Sequence, residues 1–292
     1  MTFLVFDVKL IYANIRRSML LKKSSKHSFL SKVINVVLLL IFLVGIGLVA
    51  KYGYERYQVY QAKQESANLA KDIVKKKPTK VKKVNALPAM PSEGNISIDW
   101  KKLNAINPKI KAWVYIPGTK VNYAVLQGPD NEFYLHHNEY DEYSPAGQIF
   151  MDYRQNDEFT DENTFIYGHY MYDYTKFADL NNYFNKSYFD AHNHVYIYTP
   201  TKRFVGTVFA VQSNSGVSRA HTLGFDNAKQ RKEYVEYLQS RSAVKTTMKA
   251  SDVKKMVTLW TCTERSTTDD DGDYVPVNKA RTFLSASLQE VQ

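Results

Sequence analysis

From Ile96 to the C-terminus the chain alternates apolar and polar residues in short runs, many of them bounded by Gly, Pro, Asn or Asp. "INPKIKAWVYIPGTKVNYAVLQG" sets two such runs on either side of a Pro-Gly pair at 117–118, the pattern of a hairpin. "GQIFMDYRQ", "NTFIYGHY", "HVYIYTP", "KRFVGTVFAVQS", "KKMVTLWTC" and "ARTFLSASL" also read as short strands, in which successive side chains point to opposite faces of a sheet. Two segments break the rhythm. "FADLNNYFN" predicts a short helix, and "NAKQRKEYVEYLQSR" over 227–241 a clearer one, with Tyr234, Leu238 and Arg241 spaced by four and three. Seven or eight short strands with a few inserted helices predict a mainly β domain over 96–292, closed or nearly closed into a barrel.

The N-terminal part follows another pattern. "VINVVLLLIFLVGIGLVA", residues 33–50, is interrupted only by Asn35, Gly45 and Gly47. At 1.5 Å rise per residue, about 18 to 20 such residues span a hydrocarbon core. The apolar region of a cleaved signal peptide is about 7–15 residues long and ends at a small-residue site. Here the run continues into "KYGYERYQVYQAKQ", so the pattern predicts an uncleaved transmembrane helix. Residues 51–77 contain no Pro and only Gly53, which predicts a helix ended by Pro78, and "VNALPAMPSEGN" over 84–95 reads as a linker. The expected organisation is a basic tail over 1–32, a membrane helix over 33–50, a helical stalk and linker over 51–95, and a globular domain over 96–292.

Charge changes the picture once it is located. The chain of 292 residues carries a net +10, which invites a nucleic-acid reading. Residues 1–32 hold seven bases and one acid, residues 51–86 ten bases and three acids, and residues 87–292 hold 22 bases and 25 acids. All the excess positive charge therefore flanks the apolar segment, and the globular part is slightly acidic, which argues against nucleic-acid binding. Much of the second basic block lies at 75–83, beyond the membrane edge, so the basic tail sets the orientation: N-terminus cytoplasmic, globular domain extracellular. The basic stretch is a solvated stalk or a contact with anionic lipid or wall polymer. The 44% apolar and 14% aromatic content, with 22 Tyr, is enough for a core and favours half-buried strands over a helix bundle. No internal repeat, phosphate-cradling Gly loop or metal-ligand cluster is evident; "HH" at 136–137 and "HNH" at 192–194 read as surface turns.

Cys262 is the only cysteine, so an extracytoplasmic chain of this sequence forms no internal disulfide. A lone Cys is often a small buried hydrophobe. Here its neighbours are Thr261, Thr263, Glu264 and Arg265, and it ends a strand that leads into the loop "TERSTTDDDGDYVPVNKA". The thiolate is the nucleophilic form, and a free Cys with a pKa of about 8.5 needs a nearby cation, commonly His, to reach it. Among seven His, His169 follows a predicted strand and a Gly in "TFIYGHYMYDY". Acyl transfer also needs a donor aimed at the oxyanion. Arg281 opens the strand "RTFLSASL", nineteen residues beyond the Cys, and is either such a donor or a salt-bridged edge residue.

These residues resemble a family. "TLWTC" is similar to the sortase signature T-L-x-T-C, "IYGHYM" to its His segment and "RTFLSASL" to its Arg strand. "WVYIPGTKVNYAVLQGPDNEFYL", "GQIFMDYRQ", "FADLNNYF" and the helix at 227–241 resemble class B members, and the resemblance covers roughly 98–288. It implies a sortase-like closed β-barrel preceded by a membrane anchor, working as a cysteine transpeptidase without metal or organic cofactor. Cys262 attacks the Thr carbonyl of a surface protein's sorting-signal peptide, His169 pairs with the thiolate and protonates the leaving amine, and Arg281 holds the oxyanion or the peptide. Trp260 and Thr261 contact the substrate. An amine of a peptidoglycan precursor then resolves the thioacyl intermediate.

The chain departs from the family in three places. Its Cys-to-Arg loop is long and carries "DDDGD", with Arg265 as the one nearer arginine; Trp260 stands where class B members commonly have a small polar residue; and the N-terminal tail is long enough for Met19 to be the start. Three rival functions stay open: a pilin polymerase using a Lys acceptor, a membrane-tethered binding domain with an unreactive Cys262, and a plain cysteine peptidase resolved by water.

Overall fold

The computed structural model describes residues 4–75 and 87–292, with side chains described from residue 29 onward. The chain divides into two units, Met1–Tyr57 and Gln58–Gln292. Helix α1, Leu4–Ile73, runs without a break. The large apolar side chains from Phe29 to Val49 are exposed, and this is the one helix among the described residues long and apolar enough to cross a membrane.

α1 ends at Ile73, short of Pro78, which lies outside the described residues together with most of the basic run at 75–83. Tertiary pairing ends it instead. Asp99 N–H donates to the Ile73 carbonyl at 3.2 Å, and Val74 and Lys75 leave the helix to pair with Ile98 and Ser97. Leu69, Ala70 and Ile73 are buried, so the last turns, expected as stalk, pack within the second unit.

Eight strands close that unit into a barrel. They are β1 (Ile110–Tyr115), β2 (Asn122–Gln127), β3 (Ile149–Met151), β4 (Asn163–Tyr167), β5 (His194–Tyr198), β6 (Arg203–Ser215), β7 (Met256–Cys262) and β8 (Ala280–Val291). Around the barrel the order is β8-β6-β5-β1-β2-β3-β4-β7, and β7 pairs with β8 to close it. Two pairs are parallel, β2 with β3 and β4 with β7; the rest are antiparallel.

The period-two alternation divides the apolar residues into two cores. One parity, including Ala112, Val114, Val125, Ile149, Ile166, Ile197, Val208, Val257, Leu259 and Leu284, fills the barrel interior with mostly branched side chains. The other parity, including Trp113, Phe150, Phe165, Tyr196, Phe209 and Phe283, forms a second core on the outside. Helix α4 (Ala228–Arg241) covers part of it with Tyr234, Val235 and Leu238, starting at Asn227, whose Oδ1 accepts from the Lys229 and Gln230 N–H groups at 3.0 Å. Two short helices have no strong sequence signal: α2 (Trp100–Ile106) and α3 (Lys186–Ala191), each started by an Asn or Asp side-chain cap. The predicted helix at "FADLNNYFN" is a 3-10 helix over Ala178–Phe184.

Candidate active site

Strand register brings three distant residues to one rim of the barrel. In the parallel pair β4·β7, Tyr167 lies opposite Trp260, and the Gly168 N–H donates to the Trp260 carbonyl at 3.1 Å. His169 is two residues past Tyr167, and Cys262 two past Trp260, so both continue the outward-facing parity at the same end. On the other side of β7, antiparallel β8 sets Arg281 opposite Cys262. Side chains so opposed have Cβ atoms about 5 Å apart. A Cβ at Gly168 would lie 2.4 Å from Ile149 Cδ1 and 2.8 Å from the Phe177 ring, so only glycine lets β4 deliver His169 along this path.

The His169 ring is held in one orientation. Its Nε2 lies 2.8 Å from the Leu135 carbonyl, which only accepts, so Nε2 carries the proton and Nδ1 keeps a free lone pair. Burial pushes the imidazole pKa below its ordinary value; the Lys176 and His136 charges push the same way, and the Leu135 bond opposes them. His136, expected on a surface turn, is exposed but also faces the site, its ring centroid 6.4 Å from that of His169.

Cys262 is part-exposed. Asn181 of the 3-10 helix donates to its carbonyl at 3.1 Å and accepts from Thr282 Oγ1 at 2.8 Å, which fixes the end of β7. Arg281 forms no ion pair among the described residues. One guanidinium nitrogen, Nη1, donates to the Ala280 and Asn278 carbonyls at 2.8 and 3.1 Å, and the group lies 6.0 Å from the Trp260 ring centre. The salt-bridged alternative is thus not realised among the described residues, and the other guanidinium N–H groups make no hydrogen bond there.

Beside the Cys is an aromatic ledge. Trp260 stacks on His221 (5.2 Å, 22°) and Phe283 (5.9 Å, 29°) and meets Tyr167 edge-on (4.7 Å, 67°). Tyr167 donates to Asp152 at 2.7 Å, and its oxygen lies 2.8 Å from His221 Nε2. Asp152 is fully buried and also accepts from Asn131 and from the Arg154 fork. Burial raises its pKa, but the hydrogen bonds from Arg154, Tyr167 and Asn131 outweigh it and hold the carboxylate well below the usual range. Thr261 is different: its side chain has interior parity, and its hydroxyl is buried without a partner. The Thr261 side chain therefore points away from the rim on which Cys262 lies.

The acidic loop is a structural hairpin tip. Thr267–Thr268 pairs with Tyr274–Val275, Asp269 Oδ1 accepts from the Asp271 and Asp273 N–H groups, and Asp270 accepts from Asn214, Tyr237 and the Arg219 N–H. Among the described residues, no three His, Cys, Asp or Glu converge as a metal-holding group.

Leu135, Asn181, Tyr167, Asp152, Arg154 and His221 escape sequence reasoning. Tyr167 carries a signal, since it shares the parity of His169 two residues away, and "DYR" at 152–154 spaces a carboxylate and a guanidinium by two. Leu135 acts through its backbone and His221 arrives on a loop, so neither has one.

Comparison with known proteins agrees with this geometry. The sortase domain model matches residues 114–279, which includes His169 and Cys262 and stops just before Arg281. Sortase B of Listeria monocytogenes serovar 1/2a is 31% identical over 195 residues, 67% of this chain and 76% of that protein. Sortase B of Staphylococcus aureus is 26% identical over 231 residues, 79% of this chain and 88% of that one. Among solved structures, the S. aureus sortase B–substrate complex superposes with a TM-score of 0.59 at 25% identity, over 66% of this chain and 85% of that one. A Bacillus anthracis protein similar to sortase B gives 0.60 at 25% identity, over 80% of this chain and 98% of that one.

Proposed function

This chain belongs to the sortase family as a class B-like cysteine transpeptidase, and from that premise we propose that Cys262, His169 and Arg281 join surface proteins to the cell wall from a membrane anchor. Cys262 sulfur attacks the Thr carbonyl of a C-terminal sorting-signal peptide. Arg281 N–H groups hold the oxyanion, the C–N bond breaks, and the leaving amine takes its proton from His169. Because Nε2–H is engaged by Leu135, the shuttled proton rides on Nδ1. A peptidoglycan amine then attacks the thioester, the C–S bond breaks, and its proton returns through His169. Trp260 offers the acyl-donor peptide a flat aromatic wall beside the thiol.

The observation that carries this reading is the paired register β4·β7·β8, which sets His169, Cys262 and Arg281 on adjacent strand ends with one parity. The amine acceptor draws support from a solved sortase B complexed with triglycine. The apolar stretch of α1 supports the anchor, and the basic tail supports a cytoplasmic N-terminus with the barrel outside. The same assignment divides the chain into tail 1–32, membrane helix 33–50, stalk and linker 51–95 and catalytic domain 96–292.

The test incubates the full chain in detergent with a peptide library and an amine acceptor, reading products by mass. Amine-joined products that vanish in Cys262→Ala support the reading. Unchanged products in that variant, or hydrolysis alone at saturating amine, sink it.

A further inference from the structure

One cation beside the reacting thiol has no role in the acyl-donor half of the reaction. Arg265 lies three residues past Cys262 and is exposed. Its guanidinium sits 4.8 Å over the Phe184 ring and has no carboxylate partner among the described residues. The neighbouring carboxylate, Glu264, forms no ion pair with Arg265 and acts on the Tyr170 hydroxyl, whose pKa it helps to raise after burial. Arg265 instead lines a cavity of about 540 Å³ with Asn181, Asn182, Asn185, Ser187 and Tyr188.

Each lining residue carries a polar group and none is acidic. Asn181 is the link to the chemistry, because its Nδ2 donates to the Cys262 carbonyl at 3.1 Å. The cavity is therefore one side chain away from the Cys262 backbone, at the strand end that carries the thiol. It is also separate from the ledge of Trp260, Tyr167 and His221, none of which lines it. A peptide amine entering there has amide and hydroxyl partners for its backbone and one guanidinium without a carboxylate partner among the described residues; such a fork binds carboxylate or phosphate, and a peptide acceptor supplies the carboxylate.

We propose that the Arg265 cavity is the acyl-acceptor site, and that it selects peptide amines bearing a free carboxylate. The proposal rests on the thioacyl reading of Cys262 and concerns only its second half. The acceptor nitrogen attacks the thioester carbon, the C–S bond breaks as the amide C–N bond forms, and the amine's proton passes to His169 and then to the departing thiolate. Arg265 holds the acceptor's carboxylate throughout and changes neither bond.

The experiment uses the full chain in detergent, a pooled library of donor peptides with Thr at the scissile position, and two acceptors, triglycine and triglycinamide. Thioacyl-enzyme formation, hydrolysis and amide product are measured separately by mass. The wild type should prefer the acid over the amide by roughly tenfold, the scale of one charge-assisted hydrogen bond. Arg265→Ala should bring that ratio close to one while thioester formation and hydrolysis stay unchanged, Arg265→Lys should keep part of the preference, and Arg265→Glu should invert it. An unchanged acid-to-amide ratio in Arg265→Ala, with a normal thioester, overturns this proposal alone. Loss of thioester formation in Arg265→Ala also overturns it, by moving Arg265 into the donor half. A wild type that forms no thioester overturns the functional reading itself, and this proposal with it.

Discussion

Leu259 and Trp260 are adjacent on one strand and belong to different worlds. Leu259 faces the barrel interior with Val257, Ile166 and Leu284, fully buried among aliphatic neighbours. Trp260 faces outward, two residues from the thiol, on a ledge held by His221, Tyr167 and buried Asp152. The interior is held by shape and the hydrophobic effect, which tolerate any branched residue of similar volume. The outer rim is held by directional hydrogen bonds from separate segments, which tolerate little. At the rim end of β7, stability and chemistry are therefore divided between the two faces, and substitutions of Leu259 and of Cys262 should read out in different measurements.

The largest effect belongs to the outer face. Cys262→Ala should reduce amide-product formation by at least about 10⁴-fold, as losing one member of a catalytic unit does, and His169→Ala should match it. Because Cys262 is part-exposed, its loss should barely move the melting temperature. A Cys262→Ala chain that melts many degrees lower would make the thiol a packing residue and merge the two faces. Leu259→Ala sharpens the contrast from the inside. It should cost about 2–5 kcal/mol in denaturant unfolding, the range for emptying a fully buried leucine site, while kcat per folded molecule holds. A large fall in kcat without loss of stability would contradict that. Arg281→Ala comes next, lowering kcat/KM by about 10²- to 10³-fold with the fold intact, the scale of a single oxyanion donor. If Arg265→Ala produces that loss of thioester formation instead, the oxyanion group lies on the loop and not on β8.

The interior was legible in the sequence because alternation is a local property. Each run from "AWVY" to "RTFLSASL" announces its own buried parity, and closing the barrel only joins them. On the rim, the positions of Cys262 and His169 were legible, because each residue ends a run of strand pattern in the sequence. What stayed hidden depends on contacts over long separations. Trp260 was expected to contact substrate, but nothing local tells that His221 stacks on it or that Asp152 anchors the stack through Tyr167. Thr261 adjoins the nucleophile in sequence, yet period two turns its side chain inward. α1 illustrates the same limit: Pro78 offers a local stop, while pairing of Val74 with Ile98 ends the helix earlier.

The smallest effect concerns protons. His169 sits part-buried on the rim, and that burial is the main reason its pKa lies below the ordinary 6.5. The charges of Lys176 and His136 act in the same direction, against the Leu135 carbonyl. The folded chain thus resists a proton that the unfolded chain accepts. Below a pH of about 6.5 unfolding takes up that proton, so this group's contribution turns against folding as pH falls toward the folded pKa, and above 6.5 it is absent. In activity, neutral Nδ1 is the form that takes the thiol proton, so the acid limb of kcat/KM should have its midpoint below 6.5. His136→Asn removes one of the neighbours that lower the His169 pKa and leaves the Leu135 bond in place, so the limb should move to higher pH. A limb above 6.5 in the wild type, or one moving to lower pH in His136→Asn, would mean that a different group sets the acid side and that the buried imidazole is not the base.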